Sequence, residues 1–124
     1  LNSIKKSVGG EIFVPKIPSY KITDLANAIG PSCKKIVTGI RPGEKIHEEM
    51  ITSSDSYTSY DAGKFFIILP SNNLKIIQKI NNIYKLKKVK ENFSYNSGSN
   101  KKFLKISEIR KLIKENIDSK FKPR

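Results

Sequence analysis

The chain has 124 residues, a mass of 14.0 kDa and a net charge of +13, and 37% of its residues are hydrophobic. This length permits one domain with a modest core, and the composition excludes a low-complexity chain. No apolar run reaches the 18 residues of a transmembrane helix, and no secretory signal is visible. The single cysteine, Cys33, cannot form an internal disulfide. We therefore expect a cytoplasmic protein in a reducing compartment, without a membrane partner.

The first fifty residues alternate between helical and extended patterns. Residues 1–8 resemble the end of a helix, which the following pair of glycines stops. Residues 11–14 and 35–38 are rich in β-branched side chains and predict two strands. Between them, Thr23 predicts the cap of a helix that ends at a Gly-Pro pair. Pro42 predicts the first residue of another helix, which would run to about residue 50.

The second half of the sequence contains one clear strand and one clear helix. Residues 65–69 are entirely apolar and end at a proline, which is typical of a buried strand. Residues 52–64 are rich in serine, tyrosine and aspartate and predict a loop. The segment 71–92 has helical spacing of its apolar residues but many lysines and asparagines, so its structure stays open. After a loop at 96–100, Ser107 predicts the cap of a final amphipathic helix.

These elements predict an α/β fold, because strands and helices alternate in the first part of the chain. Three or four short strands and three helices make a thin structure, typical of a lobe that packs against a larger body. The chain also begins at Leu1, and its one methionine is Met50. We therefore expect a fragment of a longer protein, with one lobe over residues 1–119 and a loose basic tail over residues 120–124.

The densest cluster of chemically useful residues is the sequence Gly-Ile-Arg-Pro-Gly-Glu-Lys-Ile-His-Glu at positions 39–48. The backbone N–H groups at a helix start bind anions, and Arg41 adds a forked cation that suits phosphate oxygens. Glu44 follows one turn later, and a carboxylate there is a good acceptor for two ribose hydroxyls. The pattern predicts a clamp for a diphosphate and a ribose. The alternative is a surface turn that carries an Arg41–Glu44 ion pair.

Other candidate catalytic residues are weaker. His47 lacks the second histidine of a zinc signature, so we expect it to pack or to form hydrogen bonds. Two Tyr-x-x-x-Lys spacings, starting at Tyr60 and Tyr84, match a reductase motif that requires both residues on one helix face. The first spacing includes a glycine in a loop, and the second has no nucleotide-binding unit before it. We interpret both spacings as coincidences.

The positive charge is concentrated in residues 75–124, which hold fifteen basic and four acidic residues. Such a segment is typical of a footprint for nucleic acid, so a small basic nucleic-acid-binding protein is the alternative function. However, 21 of the 24 basic residues are lysines. Arginine is the residue preferred for reading bases and for bidentate phosphate contacts. We therefore favour a solvated lysine surface over a nucleic-acid site.

Three blocks of the sequence resemble a known enzyme family. They lie at residues 10–26, at residues 39–48 and at residues 93–110, where Phe-Ser-Tyr-Asn-Ser-Gly begins the third block. In this order they are similar to the C-terminal part of bacterial UDP-N-acetylglucosamine 4,6-dehydratases. These inverting enzymes of flagellin-glycan and capsule biosynthesis belong to the extended short-chain dehydrogenase/reductase superfamily. The similarity extends over residues 9–115 and is looser between residues 52 and 90.

The resemblance implies a fold, a ligand and two site residues. The fold would be the small α/β substrate-binding lobe of an extended short-chain dehydrogenase/reductase, without its Rossmann domain. Arg41 would contact the diphosphate of a UDP-sugar, and Glu44 would hold the ribose hydroxyls. The resemblance also implies assembly into homo-oligomers.

The cofactor site and the catalytic residues of that family have no counterpart in this sequence. Neither a Gly-x-x-Gly-x-x-Gly turn nor a Tyr-x-x-x-Lys helix in a suitable context is present. We therefore assign no catalytic, cofactor-binding or metal-binding residue to this chain. The resemblance places NADP and the hydride chemistry in an N-terminal Rossmann domain, in the same or a separate chain. Alone, this chain is expected to be catalytically inert.

Overall fold

The computed structural model describes residues 5–124, which fall into two compact units. The first unit contains the described residues up to Ile17 together with residues 49–96. The second unit contains residues 18–48 and residues 97–124. Each unit is therefore built from two segments that are distant in the sequence. Helices and small sheets are both present, so the predicted mixed α/β class is confirmed.

The strands and helices are short. The strands are β1 (Ile12–Pro15), β2 (Glu49–Ile51), β3 (Ser59–Asp61), β4 (Phe65–Ile68), β5 (Lys87–Lys88) and β6 (Tyr95–Asn96). The α-helices that lie wholly within the described residues are α1 (Ile22–Ile29), α2 (Leu74–Tyr84) and α3 (Ile106–Asn116), and a 3-10 helix covers Ser54–Thr58. Within residues 5–124, no helix has the length and hydropathy that crossing a bilayer requires.

In the first unit, β4 is an inner strand of the sheet, and its residues belong to the core on both faces. Four strands form an antiparallel sheet in the order β1-β4-β3-β5, and β2 pairs separately with β6. Successive side chains of a strand lie on opposite faces of the sheet. Phe65 and Ile67 of β4 accordingly join a cluster that includes residues of α2, whereas Phe66 and Ile68 join a cluster that includes β2 and β6 residues. Because both faces of β4 are covered, every position of this strand is apolar.

The α2 side of the sheet carries an aromatic group. Phe13, Phe65 and Tyr84 contact one another edge-on, with ring centroids 5.5–5.6 Å apart in all three pairs. Edge-to-face geometry places the positive edge of one ring on the negative face of another, which stabilises the group beyond its buried area. Within the segment 71–92, whose structure the sequence left open, residues 74–84 form α2, whose apolar residues cover this face of the sheet, and Lys87–Lys88 form β5.

In the second unit, α1 packs against α3. Ala28 is completely buried and Ile109 is 5% exposed. The guanidinium of Arg110 donates hydrogen bonds to the backbone oxygens of Asn27 and Ala28, at 3.1 and 3.0 Å. These oxygens lie in the last turn of α1, where carbonyls have no partner within the helix. Arg110 therefore donates hydrogen bonds to the free carbonyl oxygens at the end of α1, and these bonds link α1 to α3.

Several predicted boundaries are confirmed or shifted slightly. The strands predicted at residues 11–14 and 65–69 are β1 and β4, and α1 ends at Gly30 as predicted. Thr23 and Ser107 do not cap helices, because α1 and α3 begin before them, after Lys21 and Lys105. The loop predicted at residues 52–64 contains the 3-10 helix and β3. Of the helix predicted over residues 1–8, Lys5 and Lys6 are helical, and residues 1–4 lie outside the described residues.

The strand predicted at residues 35–38 is wrong. This segment has no regular structure, and the side chains of Ile36 and Val37 are 74% and 95% exposed. A strand forms only where a neighbouring strand pairs with its backbone groups, and the described residues provide none for this segment. The β-branched composition therefore marks an extended segment rather than a paired strand.

The central position of β4 predicts that its core residues are sensitive to small changes in volume. Ile67 is fully buried, whereas Ile12 of β1 is 59% exposed. Substitution Ile67→Val should lower the free energy of unfolding by about 1 kcal/mol, because it removes a buried methylene group. The matched substitution Ile12→Val should change it by less than about 0.5 kcal/mol. Urea unfolding followed by circular dichroism measures both, and equal effects would contradict the position of the core.

A second prediction concerns the ion pair of Asp61. The Lys16 ammonium lies 2.7 Å from both carboxylate oxygens of Asp61, and the Gly63 N–H donates to one of them at 2.8 Å. Burial raises the pKa of Asp61, but the bonds from Lys16 and Gly63 outweigh burial and hold the pKa below its ordinary value of 3.8. Because the folded-state pKa is depressed, this stabilisation is present above pH 3.8 and is lost as pH falls through the folded value.

The variant Asp61→Asn should therefore be less stable than the natural chain at neutral pH, and the difference should shrink in acid. Unfolding midpoints measured from neutral pH down to about pH 2 test this expectation. The control is Asp61→Asn in a Lys16→Met background, where the loss at neutral pH should be smaller because the cation is already absent. A difference that does not change with pH would exclude a contribution from Asp61 ionisation.

Candidate functional site

Arg41 and Glu44 lie at the two ends of one tight turn in the second unit. The Glu44 N–H donates to the Arg41 backbone oxygen at 3.0 Å, which closes the turn. The Arg41 N–H donates to Glu44 Oε2 at 3.0 Å, and Glu44 Oε1 lies 3.8 Å from Arg41 Nε. The structure therefore brings together the two side chains that the sequence selected as a site.

Both side chains are open to solvent. The exposed fraction is 80% for the Arg41 side chain and 52% for the Glu44 side chain. An exposed ion pair of this kind contributes little to folding stability. The geometry contains the surface ion pair of the alternative interpretation, and it also presents a forked cation and a carboxylate side by side. Their role as ligands of a diphosphate and a ribose stays a prediction.

The helix predicted to start at Pro42 is wrong. Residues 42–48 form turns and bends, and the chain then enters β2. Gly43 has φ of 86°, in the left-handed region, which interrupts a right-handed helix and which glycine adopts without steric cost. The argument that a helix N-terminus binds an anion here therefore does not apply. Any anion site at this turn depends on the Arg41 side chain instead.

Ser97 and Gly98, which are distant in the sequence, contact the end of the segment 39–48. The Glu48 N–H donates to Ser97 Oγ at 3.0 Å, and the Ser97 N–H donates to the Glu48 backbone oxygen at 2.8 Å. The imidazole of His47 lies against Gly98, where an added Cβ would be 2.7 Å from His47 Cδ2. His47 therefore packs, as predicted for it. Two of the three sequence blocks, at residues 39–48 and 93–110, meet at this junction.

In the first unit, another junction ties the first block to the third. The Ile17 N–H donates to the hydroxyl of Tyr95 at 2.9 Å, and that hydroxyl donates to the Ile17 backbone oxygen at 2.8 Å. The Tyr95 ring also packs against Phe66, with centroids 5.2 Å apart. Sequence reasoning did not assign these contacts, nor those of Ser97 and Gly98. The signal that pointed to them was the resemblance of the block Phe-Ser-Tyr-Asn-Ser-Gly to an enzyme family.

The structure separates the residues of both Tyr-x-x-x-Lys spacings. Tyr60 is a buried residue of β3, and Lys64 lies in the turn before β4. Tyr84 ends α2, whereas Lys88 belongs to β5 and places its ammonium 4.6 Å from the centre of the Tyr60 ring. Neither pair shares a helix face, so neither has the geometry of reductase chemistry. Among residues 5–124, no three His, Cys, Asp or Glu residues come together as metal ligands would.

The charge is distributed over both units. The second unit, which carries the Arg41–Glu44 turn, has 14 basic and 6 acidic residues. The lysine-rich stretch 75–124 is divided, with residues 75–96 in the first unit and 97–124 in the second. The turn therefore lies in a unit whose net positive charge attracts anions.

The chain is similar to curated enzymes over most of its length. It is 42% identical over 119 residues to the UDP-N-acetylglucosamine 4,6-dehydratase (inverting) of Campylobacter jejuni subsp. jejuni serotype O:2. It is 40% identical over 119 residues to the protein of the same name from serotype O:23/36. Each match covers 91% of this chain and 35% of the relative. The chain thus spans about a third of the length of these curated relatives.

A solved structure and a protein-family model also match this chain. The fold is similar to the X-ray structure of Pen from Bacillus thuringiensis, with a TM-score of 0.72 and 26% identity over 92% of this chain and 34% of that chain. The family described as polysaccharide biosynthesis protein matches residues 1–70. These matches confirm the resemblance drawn from the three sequence blocks and do not favour the nucleic-acid-binding alternative. The chain belongs to the polysaccharide biosynthesis protein family.

Proposed function

We propose that this chain is the substrate-binding lobe of a nucleotide-sugar dehydratase of polysaccharide biosynthesis, and that Arg41 and Glu44 bind the UDP part of its substrate. The names of the two Campylobacter relatives supply the substrate class and the reaction. The observation that carries the proposal is the contact of Arg41 with Glu44 across one exposed turn. In this proposal, residues 1–119 form the lobe and residues 120–124 a loose basic tail.

The turn offers complementary groups to a nucleoside diphosphate. Arg41 Nε lies 3.8 Å from Glu44 Oε1, which is longer than a hydrogen bond, so the guanidinium keeps its donors for phosphate oxygens. Glu44 uses Oε2 to accept the Arg41 N–H and keeps Oε1 for a sugar hydroxyl. A diphosphate and its adjoining ribose are a few ångströms apart, as are these two side chains. The positive charge of the second unit adds a general attraction for the anion.

The surface beside the turn favours a covering partner. Four large apolar side chains of this segment are strongly exposed: Ile36 at 74%, Val37 at 95%, Ile40 at 63% and Ile46 at 75%. In this proposal, a partner covers these exposed apolar side chains. The partner in this proposal is a Rossmann domain in the same or a separate chain, and homo-oligomers of the assembled protein are part of the same proposal.

In this proposal, the NADP of the resembling enzymes binds to the partner domain and not to this lobe. Its binding requires a strand, a glycine-rich turn and a helix in succession, within a parallel sheet. The named strands of the described residues form antiparallel pairs only, and the one parallel bridge joins Ser19 to Phe103. In this proposal the lobe binds and orients the nucleotide, and the oxidation and dehydration of the sugar take place on the partner domain.

Substitution Arg41→Ala tests the diphosphate contact. The natural 124-residue chain should bind UDP, and the variant should bind it at least about tenfold more weakly, because charge-assisted hydrogen bonds to phosphate are lost. Titration with UDP, followed by NMR chemical shifts, measures the affinity. Arg124→Ala is the matched control, since it removes the same charge from the same unit. Equal losses in both variants, with a steep dependence on salt, would indicate a general polycation effect instead.

Substitution Glu44→Gln tests the ribose contact. The natural chain should bind UDP roughly threefold or more tightly than 2′-deoxy-UDP, because a carboxylate accepts a strong hydrogen bond from the 2′-hydroxyl. The variant should bind both nucleotides with nearly equal affinity. The comparison of the two ligands is internal to each variant, so it does not depend on small differences in stability. Unchanged discrimination in Glu44→Gln would remove Glu44 from the site.

A further inference from the structure

We propose that Ser97 and Gly98 are positioning residues for the Arg41–Glu44 turn. They hold the end of the segment that carries the turn and so keep its two side chains in the geometry that binds a nucleotide. This inference rests on the proposed function for its consequence in binding. Its structural part, the anchoring of the turn, concerns the free chain and is measured without ligand.

The need for an anchor follows from the exposure of the segment. Every residue from Cys33 to Met50 is exposed, and residues 34–48 contain neither helix nor strand. The two hydrogen bonds that close the turn join Arg41 and Glu44 only to each other. They fix the local shape of the turn but not its place in the unit. That place depends on where the segment is held.

The anchor consists of three contacts, which the neighbouring residues Ser97 and Gly98 make with His47 and Glu48. Ser97 exchanges two hydrogen bonds with Glu48, one through its hydroxyl and one through its backbone N–H, at 3.0 and 2.8 Å. The imidazole of His47 lies against the backbone of Gly98, which has no Cβ to separate the two. His47 is separated from Glu44 by two residues only. A displacement at His47 is therefore transmitted to the turn over a very short length of chain.

Glycine is required at position 98 by contact rather than by backbone conformation. Among the glycines, positive φ values occur at Gly9, Gly10, Gly39, Gly43 and Gly63, and Gly98 is not one of them. Alanine is therefore compatible with the backbone at this position. However, its Cβ would lie 2.7–2.8 Å from three atoms of the His47 ring. The ring must then move, and the packing that holds the segment is lost.

Anchoring matters for affinity because a loose segment must be ordered when ligand binds. Ordering costs conformational entropy for each residue that is fixed, and this cost is subtracted from the affinity. A segment that is already held in the free protein avoids most of the cost. Ser97 and Gly98 thus act on binding through His47 and Glu48, without touching the nucleotide themselves.

The test combines a ligand-free measurement with a binding measurement on the 124-residue chain. Backbone ¹⁵N relaxation reports the order of the Gly43 and Glu44 amides, and UDP titration reports affinity. In Gly98→Ala, the order parameters should fall from about 0.85 toward about 0.6. The affinity for UDP should fall roughly three- to tenfold, with Arg41 and Glu44 unchanged. Ser97→Ala should shift both quantities in the same direction, and Ser107→Ala, an exposed serine of the same unit, should shift neither.

A double variant separates the ring contact from other effects of alanine. If Gly98→Ala acts by displacing His47, it should cause no further loss in a His47→Ala background, where the ring is already absent. A full additional loss in that background would overturn the positioning role through His47. Unchanged order parameters and unchanged affinity in both Gly98→Ala and Ser97→Ala would overturn the anchor altogether.

The two proposals fail in distinguishable ways. Suppose that neither the natural chain nor any variant binds UDP, but Gly98→Ala still loosens Gly43 and Glu44. The anchor is then supported and the proposed nucleotide function is contradicted. Suppose instead that Arg41→Ala abolishes binding, but Gly98→Ala and Ser97→Ala leave order and affinity unchanged. The nucleotide function is then supported and the positioning role is rejected.

Discussion

The coverage of β4 on both faces is the constraint on which the first unit depends. A strand of four apolar residues, Phe65–Ile68, must exclude water from both sides, and a single sheet covers neither. One side is closed by α2 and the other by residues of β2, β6 and the chain before β6. Residues 49–96 therefore pack in one unit with the short strand β1, which lies more than thirty residues earlier in the sequence.

The second unit follows a different principle, because its candidate site lies on a segment with little secondary structure. The contacts between α1 and α3, and the bonds from Arg110 to the end of α1, give this unit a rigid part. The Arg41–Glu44 turn depends instead on a few polar contacts at its ends. An exposed ion pair alone cannot define a binding site. In the proposed site, its value for recognition comes from the backbone bonds that close the turn and from the junction at Ser97 and Gly98.

Sequence patterns were reliable where they reported burial and unreliable where they reported only local preference. The apolar run at residues 65–69 marked the buried strand β4. Thr23 and Ser107 are good caps in isolation, yet both helices begin one residue earlier, after Lys21 and Lys105. Residues 35–38 have strand composition but no partner strand among the described residues. Pro42 suits a helix start, but Gly43 turns the backbone into the left-handed region one residue later.

The sequence by itself determined the family, the mixed α/β class and the choice of Arg41 and Glu44 as candidate residues. These depend on the identity and order of residues within short blocks, which folding does not change. Only the tertiary structure decided that the Arg41–Glu44 turn begins no helix, that His47 rests on Gly98, and that Tyr95 bonds to Ile17. The first outcome follows from the left-handed backbone of Gly43, and the other two join residues about fifty or more positions apart. Local sequence preferences contain no information about which distant segment provides that partner.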